Sequence, residues 1–242
     1  MFRFGEKHPV WFEIILLFVT FLMVALFTVA GSMFNVHPAL SSSLGRIFVG
    51  MALLIIYKRA FKGGRVFVNL PVVFPALLFA VWNIFYNLSS GMKLGGTVFF
   101  IEALITASAP AIFEEVLFRG ILIYNLREKG NSDLQCLFIS AALFAAIHLT
   151  NLVGLDIGSV ALQLIYSFVI SLVFAAIYLR NNSILQVIIA HFLIDYTNSI
   201  FVEQPSSASA VQLILFGLLL VVETIYAIRL THAKEIEDRC NE

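Results

Sequence analysis

The chain has 242 residues, of which 60% are hydrophobic and 12% charged, and its mean hydropathy is +0.96. A soluble domain carries about 25% charged residues, so this composition excludes an ordinary globular protein and favours an integral membrane protein. The 15 Lys and Arg residues balance the 15 Asp and Glu residues, which argues against a nucleic-acid partner and leaves the lipid bilayer as the expected surroundings.

Apolar runs of about 20 residues, each long enough to cross a bilayer, occur at eight places along the chain. They cover residues 10–34, 39–57, 66–88, 97–124, 134–152, 159–179, 183–202 and 210–230. The first run is longer than the roughly 7–15 apolar residues of a signal peptide, so we expect it to be a helix of the mature protein. The sequence therefore predicts an all-α polytopic membrane protein with about eight transmembrane helices, forming one membrane-embedded domain over residues 1–242.

The basic residues alternate with these spans in the way that the positive-inside rule requires when both termini are cytoplasmic. The inner segments then hold Arg3, Lys7, Lys58, Arg59, Lys62, Arg65, Arg127, Lys129, Arg180, Arg229, Lys234 and Arg239. Lys93 falls in an outer loop, whereas Arg46 and Arg119 fall within spans. We expect a multi-pass protein of the cell membrane with cytoplasmic termini.

The fourth span carries the charged sequence E-E-V-L-F-R at residues 114–119. A charged side chain at the bilayer centre costs about 2.5–3.5 kcal/mol, so such residues face a protein interior or a polar cavity and often mark function. Glu115 and Arg119 are four residues apart on one helix face and can pair, either as a structural salt bridge or as part of a site. Glu114 is rotated by about 100° from Glu115 and is left to face elsewhere.

Two other spans carry ionisable residues at a similar depth. His148 lies four residues after Phe144, and His191 and Asp195 share one face of the seventh span. At 1.5 Å per residue, Glu114, His148 and the His191 pair lie roughly 12–20 Å from the inner ends of their spans. Each histidine alone could be a helix-packing residue. Three residues at matched depth predict one polar cavity, with the catalytic core over about residues 97–202.

A carboxylate and a histidine at one point can activate a water for attack on a carbonyl, and donors nearby would stabilise the oxyanion. His191 can donate from a ring nitrogen, whereas Asp195 donates only when protonated and can instead orient His191. Ser108 precedes the acidic pair without a G-x-S-x-G elbow, which disfavours a serine nucleophile. A zinc ion held by Glu114, His148, His191 and Asp195 is an alternative that the residue types leave open.

Three motifs resemble those of the CPBP family of intramembrane proteases, which includes the CAAX prenyl endopeptidases and the bacterial Abi proteins. They are E-E-x-x-x-R at residues 114–119, F-x-x-x-H at 144–148 and H-x-x-x-D at 191–195. The resemblance covers about residues 109–198 and implies an eight-helix core with a catalytic cavity that opens toward the cytoplasm.

Carried over residue by residue, the resemblance implies a site made of Glu114, Glu115, Arg119, His148, His191 and Asp195. Glu114 would be the base that activates water with His148, while His191 and Asp195 would form the oxyanion site. Glu115 and Arg119 would support Glu114. This description needs no metal, so we expect no cofactor. Asp195 stands where the family often has Asn, and this difference slightly favours a metal ligand and so the zinc alternative.

The resemblance further implies an endopeptidase that cleaves a membrane-associated peptide or protein, in bacteriocin self-immunity or in peptide maturation. The composition, with no soluble domain, fits a bacterial member better than a eukaryotic CAAX endopeptidase. Two other function classes stay open. A proton-coupled transporter would also place carboxylates and histidines at the midplane, although the chain shows no internal repeat. A non-catalytic immunity or scaffold protein would bind a peptide without cleaving it.

Overall fold

The computed structural model describes residues 2–61, 67–202 and 208–240, and the described chain is helical throughout. Its helices are α1 Phe2–Lys7, α2 Pro9–Met33, α3 Pro38–Ala60, α4 Leu70–Ser89, α5 Thr97–Glu115, α6 Ile123–Glu128, α7 Asp133–Ile147, α8 Ile157–Asn181, α9 Ile184–Ser199 and α10 Ala210–Cys240. A π-helical segment, Val116–Leu122, joins α5 to α6, and a 3-10 turn, His148–Val153, follows α7. The predicted all-α membrane class is confirmed. Lys62, Arg65 and the start of the third predicted span at residue 66 lie outside the described residues.

Seven helical segments within the described ranges are long and apolar enough to cross a bilayer, whereas eight spans were predicted. The difference is α9, which has 16 residues instead of the 20 predicted at 183–202. It is about 24 Å long, less than the roughly 30 Å of a bilayer core. Asn182, in the left-handed conformation at φ 49°, ends α8 and turns the chain directly into α9. The helix packs between α4 and α5, so protein surrounds much of it.

Ion pairs join four helices at one end of the bundle. We call this end the basic end and define it by Lys58, Arg127, Arg180 and Lys234. Asp133 at the start of α7 accepts from Arg127 at 2.6 Å and lies 3.3 Å from Lys234. Arg180 at the end of α8 pairs with a glutamate of α10 at 2.7 Å. The ring of Phe61, just after α3, meets that of Tyr124 in α6, which brings Lys58 to the same end.

Hydrogen bonds join the other helix termini at the opposite end. The side-chain amide of Gln212, at the start of α10, donates to the hydroxyls of Ser89 and Ser90 at the end of α4, at 2.9 and 3.0 Å. The backbone N–H of Gly95 donates to the carbonyl of Ile200 at 2.9 Å, tying the loop before α5 to the end of α9. Lys93 lies at this end. The predicted alternation of spans therefore agrees with the structure, while the side of the membrane on which each end lies stays a prediction.

Helix α3 packs closely against α5 at Gly50, and this contact positions the helix that carries Glu114. A Cβ atom added at Gly50 would lie 3.1 Å from the backbone N and Cα of Phe113. We expect Gly50→Val to lower the free energy of unfolding by about 1–3 kcal/mol, because the two backbones must separate. Melting of the purified protein in detergent measures this. Gly217→Val, in α10 with no atom within 4 Å of its added Cβ, is the control, and equal melting of the two variants would contradict the prediction.

Candidate active site

The acidic pair lies where regular α-helix gives way to a π-helical segment. Helix α5 ends at Glu115, and every residue from Val116 to Leu122 is buried. Runs of π-helix are uncommon and often occur at functional sites. Oε1 of Glu115 and Nη1 of Arg119 are 3.0 Å apart, and neither side chain has any exposed area. The pairing predicted from their spacing is confirmed.

Arg119 is the largest fully buried side chain among the described residues, and its guanidinium is held by two further helices. Nη2 donates to the hydroxyl of Ser171 in α8 at 2.6 Å and to the carbonyl of the same residue at 3.2 Å. The rings of Phe144 and Phe174 lie 4.7 and 5.3 Å from the guanidinium carbon, within the range of cation–π attraction. The position of Arg119 is therefore fixed by contacts from α5, α7 and α8 together.

Glu115 also joins α5 to α9 through His191. Nδ1 of the His191 ring donates to Oε1 of Glu115 at 2.7 Å, so one carboxylate oxygen accepts from both the histidine and Arg119. The other ring nitrogen, Nε2, lies 3.4 Å from Oδ2 of Asp195, which is long for a hydrogen bond. The Glu115–Arg119 pair thus contacts His191 directly, whereas the resemblance had implied that it supports Glu114.

His148 lies at the junction between α7 and the 3-10 turn. Its Nδ1 is 3.0 Å from the carbonyl oxygen of Phe144. Because a carbonyl can only accept, this contact assigns a proton to Nδ1 and leaves Nε2 of the neutral ring as an acceptor. The ring centroid of Phe144 lies 5.3 Å from that of His148 and 6.2 Å from that of His191, so this ring lies beside both histidines.

A cavity of about 650 Å³ brings together four of the six predicted site residues. Glu114, His148, His191 and Asp195 all line it, and they come from α5, the end of α7 and α9. Glu114 is partly exposed to this space, whereas Glu115 is completely buried behind it. Four of the six residues therefore line the cavity. The other two, Glu115 and Arg119, form a buried pair that contacts His191 through Glu115.

The remainder of the cavity wall is uncharged and could not be recognised from the sequence. It includes an aromatic group in which Trp82 of α4 stacks on Phe216 of α10 with a centroid distance of 5.3 Å. It also includes the side-chain amides of Gln163, Asn198 and Gln212. These residues lie near the ends of predicted spans, where aromatic and amide side chains are common for reasons unrelated to a site.

Arg46 is a second residue that the motifs did not single out. It lies within α3, which packs along α5, and its guanidinium interacts electrostatically with the Glu114 carboxylate. Its buried Nε has no hydrogen-bond partner among the described residues. A charged residue inside a span is itself a signal of function, and this signal could have identified Arg46. Glu13 and Glu223 are also fully buried and have no hydrogen-bond partner in the part of the chain that the structure describes, but they do not line the cavity.

The side chains do not fit the zinc site that the sequence left open. No three His, Cys, Asp or Glu side chains in residues 2–61, 67–202 and 208–240 are grouped so as to hold a metal ion. His191 directs Nδ1 to Glu115 and Nε2 toward Asp195, while His148 uses Nδ1 for a backbone carbonyl. A zinc ion held by Glu114, His148, His191 and Asp195 would require these side chains to come closer together than the structure places them.

Comparison with known families gives a match over the region that holds the site. Residues 96–197 match the family model described as type II CAAX prenyl endopeptidase Rce1-like. This region runs from the residue before α5 almost to the end of α9 and contains all six predicted site residues. Neither the curated proteins nor the solved structures give a match. The resemblance seen in the three motifs is confirmed, because residues 96–197 match the CPBP/CAAX family of intramembrane proteases.

Proposed function

We propose that the protein is an endopeptidase that hydrolyses a peptide bond of a membrane-associated peptide or protein, using a water activated by Glu114 and His148. The proposal is carried by one observation. Glu114, His148 and His191 come from three separate helices and line one cavity, and all three lie in the region that matches a protease family. In a membrane interior such residues are retained where they serve chemistry or transport.

The attacking water lies, in this proposal, between the Glu114 carboxylate and Nε2 of His148, both of which can accept its protons. Its oxygen forms a bond to the carbonyl carbon, the π electron pair moves to the carbonyl oxygen, and one water proton passes to Glu114. The protonated Glu114 then delivers this proton to the amide nitrogen as the C–N bond breaks. Atoms and charge balance without a metal ion, and Glu114 returns to its starting state.

In this proposal, the oxyanion forms next to Nε2 of His191 and accepts a hydrogen bond from it. Carboxylates only accept, so when Glu115 and Asp195 are both ionised the ring between them carries a proton on each nitrogen. The separation of 3.4 Å between Nε2 and Asp195 leaves this N–H weakly engaged and able to donate to a substrate oxygen. A preorganised donor of this kind typically contributes about 10²–10³-fold to the rate. Asp195 then acts by orienting the donor.

Glu115 and Arg119 are positioning residues in this scheme, because Glu115 contacts His191, Arg119 contacts Glu115, and neither lines the cavity. The hydrogen bond of 2.7 Å from Nδ1 fixes the plane of the imidazole, and Arg119 balances the charge of the buried carboxylate. The uncharged aromatic and amide wall favours neutral or apolar residues around the cleaved bond. Peptide maturation and bacteriocin self-immunity, the latter as in Abi-type members, are the biological roles that we propose for such a reaction.

The test compares two glutamates of the same helix. Membranes that contain the wild-type protein, Glu114→Gln or Glu102→Gln are profiled for peptide products, and a peptide that depends on the wild type is then used with each purified protein. We expect Glu114→Gln to slow cleavage by about 10²–10⁴-fold. Glu102→Gln, at an exposed residue that does not line the cavity, should retain it. Full cleavage by Glu114→Gln would refute the proposal.

A further inference from the structure

We infer that the catalytic cavity receives its substrate from the side of the membrane opposite to the cytoplasm, so that the peptide it cleaves lies at the outer leaflet. The nature of the substrate rests on the proposed function. The side from which it enters rests on where the cavity lies within the bundle and on the distribution of charge, both of which are independent of the chemistry.

The cavity extends from the site toward the bundle end that is remote from the basic end. Its wall includes Trp82 and Tyr86 in the last two turns of α4, Asn198 in the last turn of α9, Gln163 in the second turn of α8 and Gln212 in the first turn of α10. These are the helix termini that meet through the Gln212 hydrogen bonds and the loop pairing described above. The lining thus follows one end of the bundle.

A packed layer closes the cavity on the side of the basic end. Glu115, Arg119, Phe118 and Phe174 have no exposed area and lie between the site and that end. Beyond them, every residue of α8 from 171 to 179 is buried. Within the part of the chain that the structure describes, a substrate therefore has no open route to Glu114 from the basic end.

The charge distribution then assigns the two ends to the two sides of the membrane. Lys58, Arg127, Arg180 and Lys234 lie at the basic end, while Lys93 is the single lysine or arginine of the described loops at the cavity end. The excess of lysine and arginine marks the cytoplasmic side. Because the cavity lies at the end of the bundle remote from the basic end, the cavity and the basic end cannot both face the cytoplasm. The charge distribution decides between them, and it places the cavity outside.

Exposed apolar residues beside the cavity indicate how a membrane-anchored peptide would reach it. Leu162 of α8 and Leu213 of α10 both line the cavity, yet 61% and 53% of their surfaces are exposed. They lie near the starts of their helices, at the level of the outer leaflet. The cavity is therefore bordered by exposed apolar side chains, which suit a substrate that arrives laterally from that leaflet and not one that is fully dissolved in water.

Accessibility of single cysteines to a membrane-impermeant maleimide tests the inference. In a background with Cys136→Ala and Cys240→Ala, we compare Asn198→Cys in the cavity wall, Val153→Cys in the 3-10 turn at the cavity end and Glu128→Cys at the basic end. Val153 is 96% exposed, and Glu128 is exposed as well. In intact bacterial host cells we expect Val153→Cys and Asn198→Cys to be labelled, and Glu128→Cys to be labelled after permeabilisation alone.

Labelling of Glu128→Cys in intact cells, with protection of Val153→Cys, would overturn the inference by reversing the orientation. Protection of Asn198→Cys while Val153→Cys is labelled would overturn it as well, because the cavity would then be closed to the outside. A second arm adds an impermeant peptide substrate to right-side-out and inverted membrane vesicles. We expect cleavage sensitive to Glu114→Gln in the right-side-out vesicles.

The two arms separate failure of the inference from failure of the proposed function. Cleavage confined to inverted vesicles would leave the protein a peptidase and overturn the outer-side assignment. If detergent-solubilised protein cleaved no peptide while the cysteines were labelled as expected, the proposed function would fail and the outward-facing cavity would stand.

Discussion

Replacing Arg119 with leucine is expected to lower the free energy of unfolding by about 3–5 kcal/mol, because it removes one partner of a buried ion pair and leaves the buried Glu115 carboxylate without its arginine. Both side chains are completely buried, and Arg119 also donates twice to Ser171. The guanidinium occupies the space between two phenylalanine rings, so its loss removes packing as well as charge. Thermal and denaturant unfolding of the purified protein in detergent measures the change.

Arg180→Leu is the matched control, because it removes an arginine from another Arg–Glu pair of the same bundle. Its partner Glu237 has a side chain that is 57% exposed, so loss of this pair should cost about 0–1 kcal/mol. Equal destabilisation by Arg119→Leu and Arg180→Leu would contradict the description of a buried ionic centre.

The double variant Glu115→Leu/Arg119→Leu separates stability from function. Replacement of a buried ion pair by apolar residues of similar size is often neutral or stabilising, so we expect the double variant to recover most of the stability lost in Arg119→Leu. Cleavage should stay impaired, because His191 no longer has the carboxylate that fixes its Nδ1. Recovery of both stability and activity would show that the pair has a structural role alone.

Local spacing was sufficient to predict the Glu115–Arg119 pair, because residues four apart on a helix are neighbours whatever surrounds them. The contact from Glu115 to His191 was not predictable in the same way. These residues are 76 positions apart, and their contact depends on how α5 packs against α9. The π-helical segment was missed for a related reason, since hydropathy does not distinguish its hydrogen bonding from that of an α-helix.

Topology followed from hydropathy and charge alone for most of the chain, with α9 as the informative exception. Its apolar run covers 183–202, yet the helix stops at Ser199 because the next residues pair with the loop before α5. The direction of the cavity was not predictable, because Trp82 and Gln212 resemble ordinary residues of a membrane interface. Only their convergence in three dimensions shows that they extend the site.

Glu114→Gln and His148→Ala are each expected to lower kcat/KM for a cleaved peptide by about 10²–10⁴-fold, the range for general acid–base groups. If both residues hold the same water, the double variant should be about as slow as the slower single variant, since groups that act as a unit are strongly non-additive. Steady-state kinetics of the three variants in detergent or in vesicles measures this.

A control for additivity is the combination of Glu114→Gln with Leu213→Ala, a residue at the border of the same cavity near the start of α10. Effects at separated sites usually add in free energy, so here the two losses should multiply. Multiplication of the Glu114 and His148 losses as well would show that the two residues assist different steps. Because His148 has only Nε2 free and Glu114 lines the same cavity, a shared water is the arrangement that the geometry favours, and non-additivity is its kinetic consequence.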